Sequence, residues 1–350
     1  MSLIVSLLVL SALIFFHELG HYLAARMMNV KVDVFSIGFG KKLFSFNKFN
    51  TQWSISAIPL GGYVKMKGQD DSDPSKKNYD DDSYTTKTPI QRIFILIAGP
   101  LANFILAFVL YFIIALGSPN VLSSVIGTIV ENSPAYEAGL KTNDKIISIN
   151  GIKIDTWENM AKTISSSNGS LNIEIQRDGF IEFKILTPKI SETKNMFNET
   201  VQRKMIGIGA SNVTHPLELG FFELFTYATE KTIFASTMIF TGLQKLVVGD
   251  VPAKELGGVI SIVKITSDAT EAGWMSVLFF AALISVNLGV LNLLPIPALD
   301  GGHIMFNLYE LIFKQPASEA IVIKLTIAGW ILLFSMMGLG LFNDINRLMG

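Results

Sequence analysis

Cysteine is missing from all 350 residues, which excludes disulfides, iron–sulfur clusters, thiolate zinc sites and a cysteine nucleophile. Any metal must therefore be held by His, Asp or Glu. Histidine is scarce, with four in the chain, so the position of each matters. Charge is thin as well: Asp, Glu, Lys and Arg make up 16% and the net charge is −1. With no dominant basic block there is no electrostatic reason to expect nucleic acid as a partner. What the chain has in quantity is apolar surface. Hydrophobic residues form 50% of it and the mean hydropathy is +0.44, too apolar for an ordinary soluble globule.

Four stretches are long enough to span a hydrocarbon core of roughly 30 Å, which takes about 20 helical residues. They run from about Leu3 to Met28, Ile93 to Leu116, Trp274 to Leu294 and Ala320 to Phe342. The first lacks a basic leading region, and HELGH interrupts it where a small-residue cleavage site would end a signal peptide, so it reads as a retained helix. The loop from Arg26 to Arg92 carries eleven Lys and Arg, whereas the far longer segment from Pro119 to Gly273 has fourteen and is net acidic. That bias places the first loop in the cytoplasm and, with four spans, the long segment and both termini outside. The expected fold class is a polytopic α-helical membrane protein with one inserted α+β domain and a cytoplasmic-side β-hairpin region.

Within the long segment, residues 121 to 188 alternate β-rich runs (Val125 to Val130, Lys145 to Ile149, Leu171 to Gln176, Phe180 to Leu186) with the turn signals Asn150-Gly151 and Asp178-Gly179, plus a helical stretch from Trp157 to Ile164. The string SPAYEAGLKTNDKIISINGIKI resembles the bacterial PDZ pattern, in which an edge strand and groove receive an extended peptide. Residues 191 to 273 read as a linker with amphipathic helices at the membrane surface. In the cytoplasmic loop, WSISAIPLGGYVKM from Trp53 to Met66 reads as a strand, a turn at Pro59 to Gly62 and a second strand. Gly38-Phe39-Gly40 lacks the Lys and the strand-to-helix setting of a phosphate loop. The polar run from Gln69 to Tyr84 reads as a solvated, flexible loop.

Chemistry concentrates in the first span. Given four His and fifteen Glu, the pentad His17-Glu18-Leu19-Gly20-His21 should arise by chance only about 0.002 times. Spacing i, i+4 stacks His17 and His21 on one helical face, where both imidazoles can reach one ion, while Glu18 is offset by about 100° and can reach water without ligating. His17 lies roughly 21 Å into the span at 1.5 Å per residue, too deep for snorkelling. Three ionisable groups at that depth default to function.

A catalytic zinc needs a third protein ligand and an open position. After the third span the sequence reads SVNLGVLNLLPIPALDGGH. Pro295 and Pro297 break the helix, Gly301-Gly302 permits tight backbone, and Asp300 emerges from an irregular segment, tolerated at membrane depth only inside protein or along a cavity. The first and third spans run in the same direction, so Asp300 lies within reach of the histidines. His303 is a rival ligand ranked behind it, equally suited to an outer partner, and His215 falls on the other side of the membrane.

HELGH in the first span, NLLPIPALDGGH after the third, AGPLAN from Ala98 to Asn103 and the outside PDZ-like module together resemble a bacterial site-2 protease of the regulator of sigma E protease type, over nearly the whole chain. The resemblance implies zinc, one per chain, held by His17, His21 and Asp300, with Glu18 as catalytic base and Asn287 and Asn292 contacting substrate. It implies a zinc intramembrane endopeptidase in the bacterial cytoplasmic (inner) membrane, acting on single-span membrane proteins such as anti-sigma factors or remnant signal peptides, with the lipid bilayer as its other partner. The expected division is 1–28 for the first transmembrane helix, 29–92 for the cytoplasmic loop, 93–117 for the second helix, 118–190 for the PDZ domain and 191–273 for the linker. The third helix with its LDG motif follows at 274–303 and the fourth at 319–343. Better-known members carry two PDZ modules, and this chain has length for one. The rival readings are a non-catalytic PDZ membrane adaptor and an ion-coupled transporter. An intact Glu18 beside two histidines opposes the first, and the lack of an inverted repeat opposes the second.

Overall fold

The computed structural model describes residues 2–69, 78–195, 197 and 199–349. The chain forms two compact units, one from Met1–Leu116 with Phe221–Gly350 and one from Gly117–Gly220.

The first unit opens with α1 (Ser2–Met27), an apolar run without proline. It stops where Asn29 takes a left-handed conformation, φ 54°. The Val30 and Asn29 amides then close on the carbonyls of Ala25 and Arg26 at 2.8 and 3.1 Å, the pairing that satisfies a helix C-terminus. Two long strands follow, β1 (Val32–Lys48) and β2 (Thr51–Met66), joined at Phe49-Asn50 with both φ positive, as a two-residue hairpin requires.

Both strands fold on themselves. Residues 34–37 of β1 pair with 52–55 of β2 on one side and 62–65 on the other, and 44–48 pair with 51–55. The two halves of WSISAIPLGGYVKM are therefore not hairpin partners, as the sequence suggested, because the start of β1 lies between them. The bend in β1 falls at Gly38 and Gly40, both at positive φ. Phe35, stacked on Trp53 at 4.5 Å, and Tyr22, 5.0 Å from Trp53, seat the near end on α1. Leu43, Phe44, Phe46 and Phe49 at the far end are exposed.

Of the polar run from Gln69 to Tyr84, residues 70–77 lie outside the described residues. The remainder is stitched down. Lys67 pairs with Asp80 at 2.8 Å and Asp82 at 2.5 Å, and the Ser83 hydroxyl donates to the Asn78 carbonyl at 2.6 Å. The Asp80 and Asp82 hydrogen bonds push the Lys67 ammonium up to about 12. Next, α2 (Pro89–Leu116) starts on a reciprocal box in which the Thr88 amide donates to Gln91 Oε1 and the Gln91 amide to Thr88 Oγ1, with proline at the first helical position.

The second unit comprises β3 (Asn120–Leu122), β4 (Ile126–Ile129), α3 (Pro134–Glu137), β5 (Lys145–Ile149), β6 (Ile152–Lys153), α4 (Trp157–Ser166), β7 (Leu171–Arg177), β8 (Phe180–Leu186), β9 (Lys189–Lys194), β10 (Thr200–Met205), β11 (Ile208–Ala210) and β12 (Thr214–Pro216). The antiparallel sheet β6-β5-β7-β8 turns at Asn150-Gly151 and Asp178-Gly179, all at positive φ. Leu171, Ile173 and Ile175 alternate inward, onto a core with Ile126, Ile146, Ile149 and Met160, as a one-sided strand dictates. The unit extends past the boundary expected at 190. The reason is pairing: β3 and β4 find their partners in β12 and β11, drawn from the stretch read as a linker.

The chain returns to the first unit with α5 (Phe221–Val248), α6 (Val259–Ala272), α7 (Trp274–Asn292), α8 (Asp300–Phe313) and α9 (Glu319–Met349). Leu224, Ala228 and Ala235 are the buried stripe of α5, which lies along α2 and α7. Among the described residues four helices, α1, α2, α7 and α9, are long and apolar enough to cross a membrane. The last continues beyond the expected end at Phe342 because its final turns have partners: the Gly258 and Ser261 amides donate to the Asp344 carboxylate at 3.0 and 3.1 Å, capping α6 from another helix.

Candidate metal centre

The site lies where α1, α2 and the start of α8 meet. Close approach of α1 and α2 depends on glycine. A Cβ on Gly20 would fall 2.2 Å from the Ala98 carbonyl oxygen, and one on Gly99 would fall 2.2 Å from His21 Nε2. From the other side, the segment 293–299 turns back so tightly that a Cβ on Gly301 or Gly302 would meet the carbonyls of Leu294 or Ile296 at 2.2 and 2.3 Å. This wrap delivers Asp300, the first residue of α8, to the histidines.

His17 Nε2, His21 Nε2 and Asp300 Oδ2 form a triangle. Its sides are 3.2 Å between the nitrogens and 3.3 Å from each nitrogen to the carboxylate oxygen. A tetrahedral zinc with ligand bonds of about 2.0–2.1 Å has ligand-to-ligand edges of about 3.3 Å, so these three donors fit the ion. Their electronic state fits too. His21 Nδ1 donates to the Ile95 carbonyl at 2.9 Å, which leaves the lone pair of a neutral ring on Nε2. Asp300 Oδ2 is buried and makes no hydrogen bond. Lone pairs crowded this closely call for a cation among them.

Among the described residues this trio is the group of His, Asp and Glu side chains able to hold a metal. His303, the rival ligand, stands apart from it on α8 with its ring against Phe306. His215 belongs to the second unit, in β12 opposite Val121. Glu18 is half-buried, with Gly62 of β2 so near that a Cβ there would lie 3.1 Å from Glu18 Cγ. Asn287 and Asn292 lie on α7, both half-buried and the latter its last residue.

Three participants were not singled out in the sequence. Gly99 makes room for the His21 ring, the Ile95 carbonyl holds its far nitrogen, and Asn103 stands 3.1 Å from His17 Nδ1. Gly99 and Asn103 fall within AGPLAN, a Gly-Pro pair and an asparagine inside an apolar span, where close helix approach and a polar partner are the usual reasons for such residues.

A membrane-spanning helical unit that brings two histidines of an HExxH pentad and an aspartate to zinc-ligand spacing defines a class, the membrane metallopeptidases. The chain matches the profile of peptidase family M50 over residues 5–336 and belongs to that family: it is a membrane protein and a metalloprotease whose cofactor is zinc. Relatives include a Campylobacter jejuni protein, 48% identical over 99% of this chain and 93% of its own length. A Helicobacter pylori protein is 43% identical over 99% of both chains, and one from Clostridium acetobutylicum is 34% identical over 98% of this chain and 97% of its own. All three bear the words zinc metalloprotease in their names.

Proposed function

We propose that this chain is an intramembrane endopeptidase of the site-2 type, hydrolysing peptide bonds in or beside the transmembrane segments of single-span membrane proteins. The observation that carries the reading is the zinc-sized triangle of His17, His21 and Asp300 on a unit built around helices long and apolar enough to cross a bilayer. When bound, zinc supplies a Lewis acid for the scissile carbonyl and makes water acidic enough to deprotonate at neutral pH.

His17, His21 and Asp300 hold the ion. Glu18, rotated by about 100° from His17 around α1, takes the water proton on its carboxylate and returns it to the leaving amine. Asn287 and Asn292 orient the substrate backbone through their carboxamides. A peptide bond inside a helix is shielded, so the segment must unwind, and a strand edge can hold it in extended form. The 62–65 stretch of β2, which pairs on one side with β1 and begins against Glu18, supports that role.

In this reading the unit Gly117–Gly220 is a PDZ module outside the inner membrane of a bacterium, a placement supported by the basic bias of the first loop. A groove of about 160 Å³ lined by Trp157, Met160, Ile164, Arg203 and Ile206 is where an extended peptide would lie. Anti-sigma factors and remnant signal peptides are candidate substrates.

The test compares Glu18→Gln with His21→Ala and Asp300→Ala. Glu18→Gln should keep about one zinc per chain, yet cut a model transmembrane substrate about 10²–10⁴-fold more slowly, the range expected for loss of a general base. The other two should lose zinc and activity together. Undiminished cleavage by Glu18→Gln would sink the mechanism, and equal substrate capture without cleavage by wild type would favour the adaptor.

A further inference from the structure

Both histidines of the centre are held from behind by one stripe of α2. Ile95, Gly99 and Asn103 recur every four residues and so share a face. At one end the Ile95 carbonyl accepts from His21 Nδ1, and Gly99 leaves space for that ring. At the other end the Asn103 carboxamide stands 3.1 Å from His17 Nδ1.

The requirement on that carboxamide follows from the ring. A neutral imidazole carries one N–H, and a histidine that offers Nε2 to a metal keeps its proton on Nδ1. The atom facing His17 Nδ1 must then be an acceptor. Asn103 is fully buried, and its Oδ1 makes no hydrogen bond while Nδ2 lies toward the ring. Half a turn about the last side-chain bond exchanges the two atoms at nearly unchanged shape and gives Oδ1 the His17 proton. The position of Asn103 in the helix is secured separately, since the Ser285 hydroxyl donates to its backbone carbonyl at 2.8 Å.

We infer that Asn103 is a positioning residue for the metal: its Oδ1 accepts the proton of His17 Nδ1, fixing the tautomer and ring orientation that present Nε2 to zinc. The two ligand histidines are thereby served alike, one by a main-chain oxygen and one by a side-chain oxygen, from a helix that supplies no ligand itself. The inference rests on zinc being held by His17, His21 and Asp300.

The test measures zinc affinity by chelator competition, and the visible spectrum after cobalt substitution, in the full-length protein and its variants. Asn103→Leu keeps the volume and removes the acceptor, and it should weaken zinc binding about 10–100-fold, the range for loss of such an outer partner, and alter the cobalt bands. Asn103→Asp supplies a stronger acceptor in the same place and should bind zinc at least as tightly as wild type with unaltered bands. Asp300→Ala is the control for the centre itself. Wild-type affinity in Asn103→Leu, with zinc lost in Asp300→Ala, would overturn the inference and leave the centre standing. Zinc loss in Asn103→Asp would show that an acceptor in this place does not serve the metal and would overturn the inference as well. Full zinc in Asp300→Ala would overturn the centre and this inference with it.

Discussion

At the scale of single residues, the site is governed by what is absent as much as by what ligates. Gly99 contributes no donor atom, yet a methyl group there would fall 2.2 Å from His21 Nε2, on the nitrogen that faces Asp300. Parting α1 from α2 would give up the close packing of Gly20 against the Ala98 carbonyl. The ring must turn, breaking its bond to Ile95. Gly99→Ala should therefore weaken zinc binding on the order of 100-fold, whereas Gly338→Ala, on α9 with open space around it, should leave it unchanged. Equal affinity in the two variants would refute the packing argument. The candidate ligands were legible in the sequence, because HExxH carries its geometry in its spacing and the Pro-rich break before Asp300 announces irregular backbone. The roles of Gly99 and Asn103 were not, since AGPLAN marks a close approach without saying which side chain makes it, and periodicity within one helix holds no record of the other.

Elements show the same division. Strands β5 and β8 match their expected bounds, and α4 does so within two residues, because alternation and Asn-Gly or Asp-Gly turns are local signals. The interleaved pairing of β1 and β2 and the late partners of β3 and β4 are long-range choices that no local window contains. The second unit also carries an ion pair, a buried carboxylate with a half-buried arginine, that alternation does not reveal. Asp144 accepts from Arg177 through both oxygens, at 2.7 Å each, and from the Lys141 amide at 2.7 Å. Burial pushes the Asp144 carboxyl up, but the Arg177 guanidinium and the Lys141 amide outweigh it and hold the group below the usual carboxylate range. A depressed carboxylate contributes stability that is complete above its unfolded value, about 3.9, and is lost as pH falls through the lower folded value. Protection of the β5 and β7 amides from hydrogen exchange, taken relative to the intrinsic rate at each pH, should thus fall below about pH 4 in the full chain. Asp144→Asn should lower that protection at neutral pH by about 1.5–3 kcal/mol, the range for a lost charged hydrogen bond, since Arg177 keeps Glu182 and the Gly139 carbonyl, and should abolish the Asp144-linked acid dependence. An unchanged acid profile in Asp144→Asn would remove Asp144 as its source.

On the scale of the whole molecule, the second unit is an insertion whose two ends meet. Asn120 pairs with Pro216, and the Leu217 amide donates to the Pro119 carbonyl at 3.0 Å, so the chain enters and leaves that unit side by side. Excision of 117–220 with a short Gly-Ser bridge should accordingly spare the helices that carry His17, His21 and Asp300, all of which belong to the other unit. What the insertion contributes follows from the proposed sidedness. On that proposal the module can exclude substrates whose outer portion is bulky, or hold that portion by strand addition. Exclusion is the expected role. The excised protein should keep its zinc and cut a short transmembrane substrate at close to the wild-type rate, and it should newly cut one bearing a folded outer domain. Loss of cleavage of the short substrate, with zinc retained, would instead make the unit a docking platform.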